Sequence, residues 1–219
     1  MKCKKYFLIS FVLFLLFLIF TVAVMLVDVE SIGPEKSNIG FASINTFFFE
    51  LFEESFLWYK VTNVIGVLAI LTAAAFGFIG ASELLERKNI LKVDKNILFL
   101  GAIYILTIFF YIFFKSVAIN YRPVMIDGIL EASYPSSHTM LTITVFSTAI
   151  IIVKRLIKNI KLIALIKSVC IVLISLAVIG RMISGVHWIT DIFGSILLSS
   201  AIITLYYALV VFSGEKFGE

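Results

Sequence analysis

The chain has 219 residues, 61% of them hydrophobic and only 15% charged, where a soluble domain has about 45–50% apolar and about 25% charged residues. With a mean hydropathy of +1.11, this excludes a disordered tail, a nucleic-acid binder and an ordinary cytosolic enzyme, and points to a polytopic membrane protein. The net charge of +4, from 18 basic and 14 acidic residues, matters through its distribution rather than its sum.

The N-terminus reads Met-Lys-Cys-Lys-Lys and is then apolar from Tyr6 to Val27. The charge layout is that of a signal peptide, but the apolar stretch exceeds the usual h-region and no small-x-small cleavage site follows. An uncleaved first helix is expected. Residues 28–40 are polar and contain Gly33, Pro34 and Gly40. In 41–57, Phe41, Ile44, Phe48, Leu51 and Phe52 recur at helical spacing, with Glu50, Glu53 and Glu54 largely between them. That pattern predicts an amphipathic helix on the membrane surface, as a connector or a substrate gate.

Further apolar runs cover 61–82, 97–119, 139–153, 162–180 and 189–212. The run 139–153 is short for a span and is expected to extend into its flanks. Linkers 83–96 and 154–161 each carry four basic residues, and Lys2, Lys4 and Lys5 precede the first helix. The positive-inside rule puts these segments and both termini in the cytoplasm, leaving 28–60, 120–138 and 181–188 outside. The predicted fold is all-α: one domain, residues 1–219, with six transmembrane helices and an interfacial helix between the first two. Cys3, in the basic N-terminus, and Cys170, in mid-run, do not read as a disulfide framework.

Ionisable residues within or at the mouth of a span are costly and therefore candidates for function. Lys115 and Arg122 are seven apart, two helical turns, and Pro123 ends the helix. Two cations on one face at a membrane mouth suit an anion. Snorkelling anchors are the alternative, weakened because an outer basic pair runs against the positive-inside trend. Tyr134-Pro135-Ser136-Ser137-His138 precedes the next apolar run. Ser136 or Ser137 can cap that helix, whose first turn offers free N–H groups to an anion. His138 falls in that turn, where a lone histidine is usually structural. His187 and Asp191 are four apart and can hydrogen-bond on one helical face. The carboxylate would fix the tautomer and free the other ring nitrogen as nucleophile or base, or the pair simply holds two helices together. Arg181 lies nearby, and Gly180 and Gly185 permit close backbone approach. The chain's two histidines and two of its three prolines fall in these stretches. Neither an acidic cluster nor a third histidine accompanies them, so a metal site is not suggested. Phosphoryl transfer fits this set.

At these residues the sequence resembles the type 2 phosphatidic acid phosphatase superfamily, whose site is shared with the vanadium haloperoxidases. The family pattern is Lys-x6-Arg-Pro, then Pro-Ser-Gly-His, then Ser-Arg-x5-His-x3-Asp. Here the matching residues are Lys115, Arg122 and Pro123; Pro135, Ser136, Ser137 and His138; and Gly180, Arg181, His187 and Asp191. Arg-x5-His-x3-Asp alone is expected by chance about 0.0007 times in a chain of this composition. The resemblance implies that His187 is a nucleophile forming a phosphohistidine, that Asp191 orients it, and that His138 is the general acid. Lys115, Arg122 and Arg181 would bind the phosphate oxygens, with Ser136 and the backbone N–H groups near Ser137 and His138 completing the cradle. It implies neither metal nor cofactor. Ser137 stands where the family has glycine and Gly180 where it has serine, which questions any cradle requiring positive φ at 137.

The resulting expectation is a multi-pass plasma-membrane enzyme with its site on the extracytoplasmic face. It would hydrolyse a lipid phosphate or pyrophosphate without metal: undecaprenyl pyrophosphate, phosphatidic acid or phosphatidylglycerol phosphate. The alternatives are a phosphotransferase using the same site and a non-enzymatic anion-binding membrane protein. The bilayer lipid is the expected partner, nucleic acid is not, and the oligomeric state is left open.

Overall fold

The computed structural model describes residues 2–52 and 54–217, and side chains as far as Gly214. Seven α-helices account for most of them: α1 Lys2–Leu26, α2 Ala42–Leu51, α3 Phe56–Arg87, α4 Lys95–Ser116, α5 Ser137–Leu156, α6 Ile160–Ile183 and α7 Ile189–Phe217. All but α2 are long and apolar enough to cross a membrane. Among the described residues β structure is limited to isolated bridges in loops, such as Glu30 with Ile39 and Tyr121 with Ala132.

Helix starts follow the capping chemistry of the sequence. Asp94, Asn159 and Ser55 each accept a backbone N–H of the following first turn through the side chain. The Ser55 cap starts α3 five residues before the apolar run at 61, and α3 continues to Arg87 at its other end. The short run at 139–153 does extend into its flanks, to 137 and 156. The surface helix is shorter than its pattern: α2 covers Ala42–Leu51 only, and Glu53 lies outside the described residues. Its Ile44, Phe47 and Leu51 are exposed, a face suited to hydrocarbon rather than water.

α5 is the hub. It is the most buried of the six spans and the least apolar, with a mean hydropathy of 1.6, whereas α6 is the least buried at 2.8. A span surrounded by protein can carry polar side chains that satisfy themselves locally. Thr142 and Thr148 do so, bonding carbonyls three and four residues back. Outside the hub the same local bond recurs on α3, from Thr72 to Leu68 O and from Ser82 to Ile79 O. α1 runs antiparallel to α7, with Tyr6 against Tyr207, Ser10 Oγ donating to Ala201 O, and Phe20 against Phe193. Phe17, Phe114, Tyr134 and Met140 form one core cluster with Leu198 and Tyr206. Tyr134 Oη sits 2.8 Å from Thr21 Oγ1, and burial pushes its phenol up.

The two ends of the bundle differ. The basic linkers meet at one end, where Arg155 lies 3.8 Å from Asp94 and Tyr206 Oη reaches Asn96 O. The loops 28–41, 117–136 and 184–188 gather at the other. All the motif residues are carried by these loops and the helix ends beside them.

Candidate active site

Between α6 and α7 the chain turns through Ser184–Trp188. Gly185 makes this turn possible with φ of +70°, a region costly for other residues, and Glu54 packs against it where a Cβ would stand. His187 therefore precedes α7 rather than sharing a helix with Asp191. The expected pair still forms: His187 Nδ1 lies 3.3 Å from Asp191 Oδ2, which also accepts Trp188 N–H at 3.0 Å. Both side chains are buried. With Nδ1–H donating to the carboxylate, Nε2 keeps its lone pair, and that atom has no protein partner. Burial is the chief cause that holds the His187 pKa well below its ordinary value, reinforced by Arg122, Arg181 and His138. The ring is therefore neutral at neutral pH.

Arg181 is completely buried. Its Nη2 donates to Asn63 Oδ1 at 2.5 Å and its guanidinium stands 5.4 Å from the Tyr59 ring centroid. Nε and Nη1 find no protein acceptor. Burying cationic N–H groups without acceptors is expensive, and an anion would satisfy them. Arg122 is also buried. Its Nε lies 3.0 Å from Glu131 Oε2, and its Nη1 donates to Val186 O at 3.4 Å, beside His187.

The helical link expected between Lys115 and Arg122 is overturned. α4 stops at Ser116, and Arg122 sits in a loop whose N–H bonds Glu131 O. Only by leaving the helix can the chain bring Arg122 against Val186. Lys115 is left exposed at the helix end, its Nζ 5.9 Å from the Tyr111 ring centroid. It stands at the rim rather than beside the histidines.

His138 is in the first turn of α5, as expected, and its ring packs on Gly66 of α3, where a Cβ would come within 2.9 Å of Cδ2. Ser136 is the N-cap residue but makes no side-chain cap; its hydroxyl is 3.0 Å from Thr139 Oγ1. Its backbone is anchored instead: Ser136 N–H donates to Asp191 O, and Ser195 Oγ donates to Ser136 O. These bonds tie the α5 start to the α7 start.

Both departures from the family pattern have structural readings. Ser137 is helical and does not have positive φ, so glycine is not required there. At Gly180 an added Cβ would stand 2.7 Å from Thr62 Cγ2 and 2.8 Å from Trp58 Cε3. The volume a serine would need is filled from α3.

A cavity of about 520 Å3 opens beside His138 between α3, α4 and α5. Asn63, Ser137, His138 and Tyr111 line one part of it, and Val67, Ile70, Leu141 and Val145 line the rest. It combines a polar mouth with an apolar throat, the shape needed for a lipid headgroup and its chain.

Sequence reasoning missed Asn63, Tyr59 and Asn45. Asn45 is buried, donates to Gly40 O and accepts Thr190 N–H, holding α2 against the residue before Asp191. A lone asparagine in each apolar segment was the available signal. Among the described residues, no three His, Cys, Asp or Glu side chains are grouped to hold a metal.

The all-α six-span bundle with two arginines around a histidine–aspartate pair is that of a known class. Residues 96–215 match the PAP2 superfamily, more than half of the chain, and the chain belongs to that family. The resemblance read from the three motifs is borne out, and membership supports phosphatase activity on a membrane lipid. Among solved structures, the chain is similar to a transmembrane PAP2-type phosphatidylglycerolphosphate phosphatase from Bacillus subtilis. The TM-score is 0.63 at 21% identity, covering 94% of this chain and 96% of that one; at that identity the likeness is one of fold. No curated protein matches the chain.

Proposed function

We propose that this chain is a metal-independent lipid phosphate or pyrophosphate phosphatase working through a phosphohistidine. The observation that carries the reading is the buried His187–Asp191 pair beside two buried arginines. The substrate's chain lies in the apolar cavity and its phosphate enters among Arg122, Arg181 and the start of α5. Guanidinium N–H groups of Arg181 and Arg122 neutralise the phosphate oxygens, with Lys115 attracting the headgroup at the rim. His187 Nε2 attacks phosphorus while Asp191 accepts the Nδ1 proton's hydrogen bond and steadies the developing positive charge. The P–O bond to the lipid breaks, and His138, protonated once the anionic substrate stands beside it, gives that proton to the leaving oxygen. His138 then takes a proton from water, whose oxygen attacks phosphorus, breaks the N–P bond and releases phosphate. Ser136 and the N–H groups of Ser137 and His138 complete the cradle.

The charge pattern supports a plasma-membrane protein with the basic linkers and both termini cytoplasmic and the site extracytoplasmic. Candidate substrates are undecaprenyl pyrophosphate, phosphatidic acid and phosphatidylglycerol phosphate, the last being the compound class for which the Bacillus subtilis neighbour is named. The test is phosphate release from these three lipids by wild-type and His187→Ala protein in detergent with excess EDTA. Release that survives EDTA and is lost in the variant supports the reading. Phosphate passed to an acceptor rather than released identifies a transferase instead, and the absence of both removes the enzymatic reading.

A further inference from the structure

The cavity at His138 does not use the whole gap between α3 and α4. A second chamber of about 510 Å3 lies between the same helices toward the linker end. Tyr104 lines both, and its hydroxyl lies 3.1 Å from Thr148 Oγ1 of α5. On α3 the combined cleft runs from Asn63 to Leu84. At the helical rise this is about 31 Å, close to the full hydrocarbon thickness of a bilayer, about 30 Å. The first chamber alone, Asn63 to Ala73, covers about 15 Å, one leaflet. Ile90 and Val93 line the linker end.

Two residues of the second chamber stand out. Gly77 and Gly101 are in helix interiors, where glycine is a poor helix former. Close packing does not explain them, because a Cβ at either position would meet nothing within 4 Å. Both line the chamber. Both are exposed, so this chamber is a groove open at the protein surface, and a side chain at either position would narrow it.

Resting on the phosphatase reading, we propose that this second chamber binds the distal part of a single substrate chain longer than one leaflet, a polyprenyl chain, and that Gly77 and Gly101 set the length it accepts. A diacyl lipid with its phosphate at His187 ends near the midplane, within the first chamber. Only a longer chain passes Tyr104 and gains apolar contact beyond it. Chain length thus becomes binding energy at a distance from the reacting phosphorus.

The test compares farnesyl pyrophosphate (15 carbons) with undecaprenyl pyrophosphate (55 carbons). The proteins are wild type, Gly77→Leu/Gly101→Leu, and Gly77→Ala/Gly101→Ala as a milder pair. Leucine and alanine are better helix formers than glycine, so the helices are retained. The leucine pair is expected to lose about tenfold or more in kcat/KM on the 55-carbon substrate and under about twofold on the 15-carbon one, with the alanine pair between it and wild type. Equal losses on both substrates, or none on either, would overturn the proposal. Binding of non-hydrolysable 15- and 55-carbon phosphonates, read by native mass spectrometry, separates this from the phosphatase reading. If wild type hydrolyses neither substrate, that reading fails. The chamber then stands if the leucine pair selectively loses the 55-carbon phosphonate, and falls if it does not.

Discussion

The two ends of the α3–α4 cleft are made of opposite materials. Beside the histidine end, polar groups are buried and several are left without protein partners: Nδ1 of His138, which lines the cavity, and behind it Nε and Nη1 of Arg181 and Nε2 of His187. At the linker end, the lining is Gly77, Gly80, Ala81, Gly101 and aliphatic side chains. The first end holds costly groups in readiness for charge; the second holds space. On the proposed reading this difference makes turnover and chain selection separable, and substitutions should sort by the end they touch.

Arg181→Ala gives the largest loss among the groups that bind phosphate without reacting. A fall of about 10²–10³ in kcat/KM is expected, equal for short and long chains, and Arg181→Lys recovers little because the forked donor geometry is lost. A loss that depended on chain length would break the separation of the two ends. His138→Ala should cost about 10²-fold on lipid alkyl phosphates. It should cost much less on an aryl phosphate, whose leaving oxygen needs no proton. Equal losses on both would remove the general-acid role. Gly180→Ser should destabilise the fold by about 1–3 kcal/mol through overpacking, because Thr62 and Trp58 occupy the space. Thermal unfolding checks this, and pairing it with Thr62→Ser should restore part of the loss.

The smallest effect is on pH. The pKa of His187 in the folded protein lies below its ordinary value. As pH falls through about 6.5 the unfolded chain takes up a proton there and the folded chain does not. Stability contributed by the neutral ring is therefore present above that pH and lost below it, by about 1.4 kcal/mol per pH unit. Thermal midpoints of wild type and His187→Gln between pH 7.5 and 5.5 should converge as pH falls. Parallel lines would mean that His187 titrates normally.

Much of the candidate site was legible because the cost of ionisable groups in a membrane leaves few places for them. His187, Asp191, Arg122, Arg181 and His138 were all picked out by residue type and spacing, and the structure brings them together. The failures share a cause. Spacing was read as if the helices continued, so Lys115 and Arg122 were placed on one face, whereas α4 ends at Ser116. Likewise α2 ends at Leu51 rather than at 57. Asn63 and Tyr59 were missed because the apolar residues of α3 favour no one side, so its pattern does not tell which side meets α6. The second chamber was illegible for the same reason: a helix-interior glycine marks tight packing and open space alike until its neighbours are known.

The most direct measurement is to trap the intermediate. Wild-type, His187→Ala and His138→Ala proteins would be mixed with 32P-labelled lipid phosphate and quenched in alkali, where a phosphoramidate persists. The account predicts label on the peptide containing His187 in wild type and in His138→Ala, and none in His187→Ala. Turnover without protein-bound label, or label that persists in His187→Ala, would contradict it.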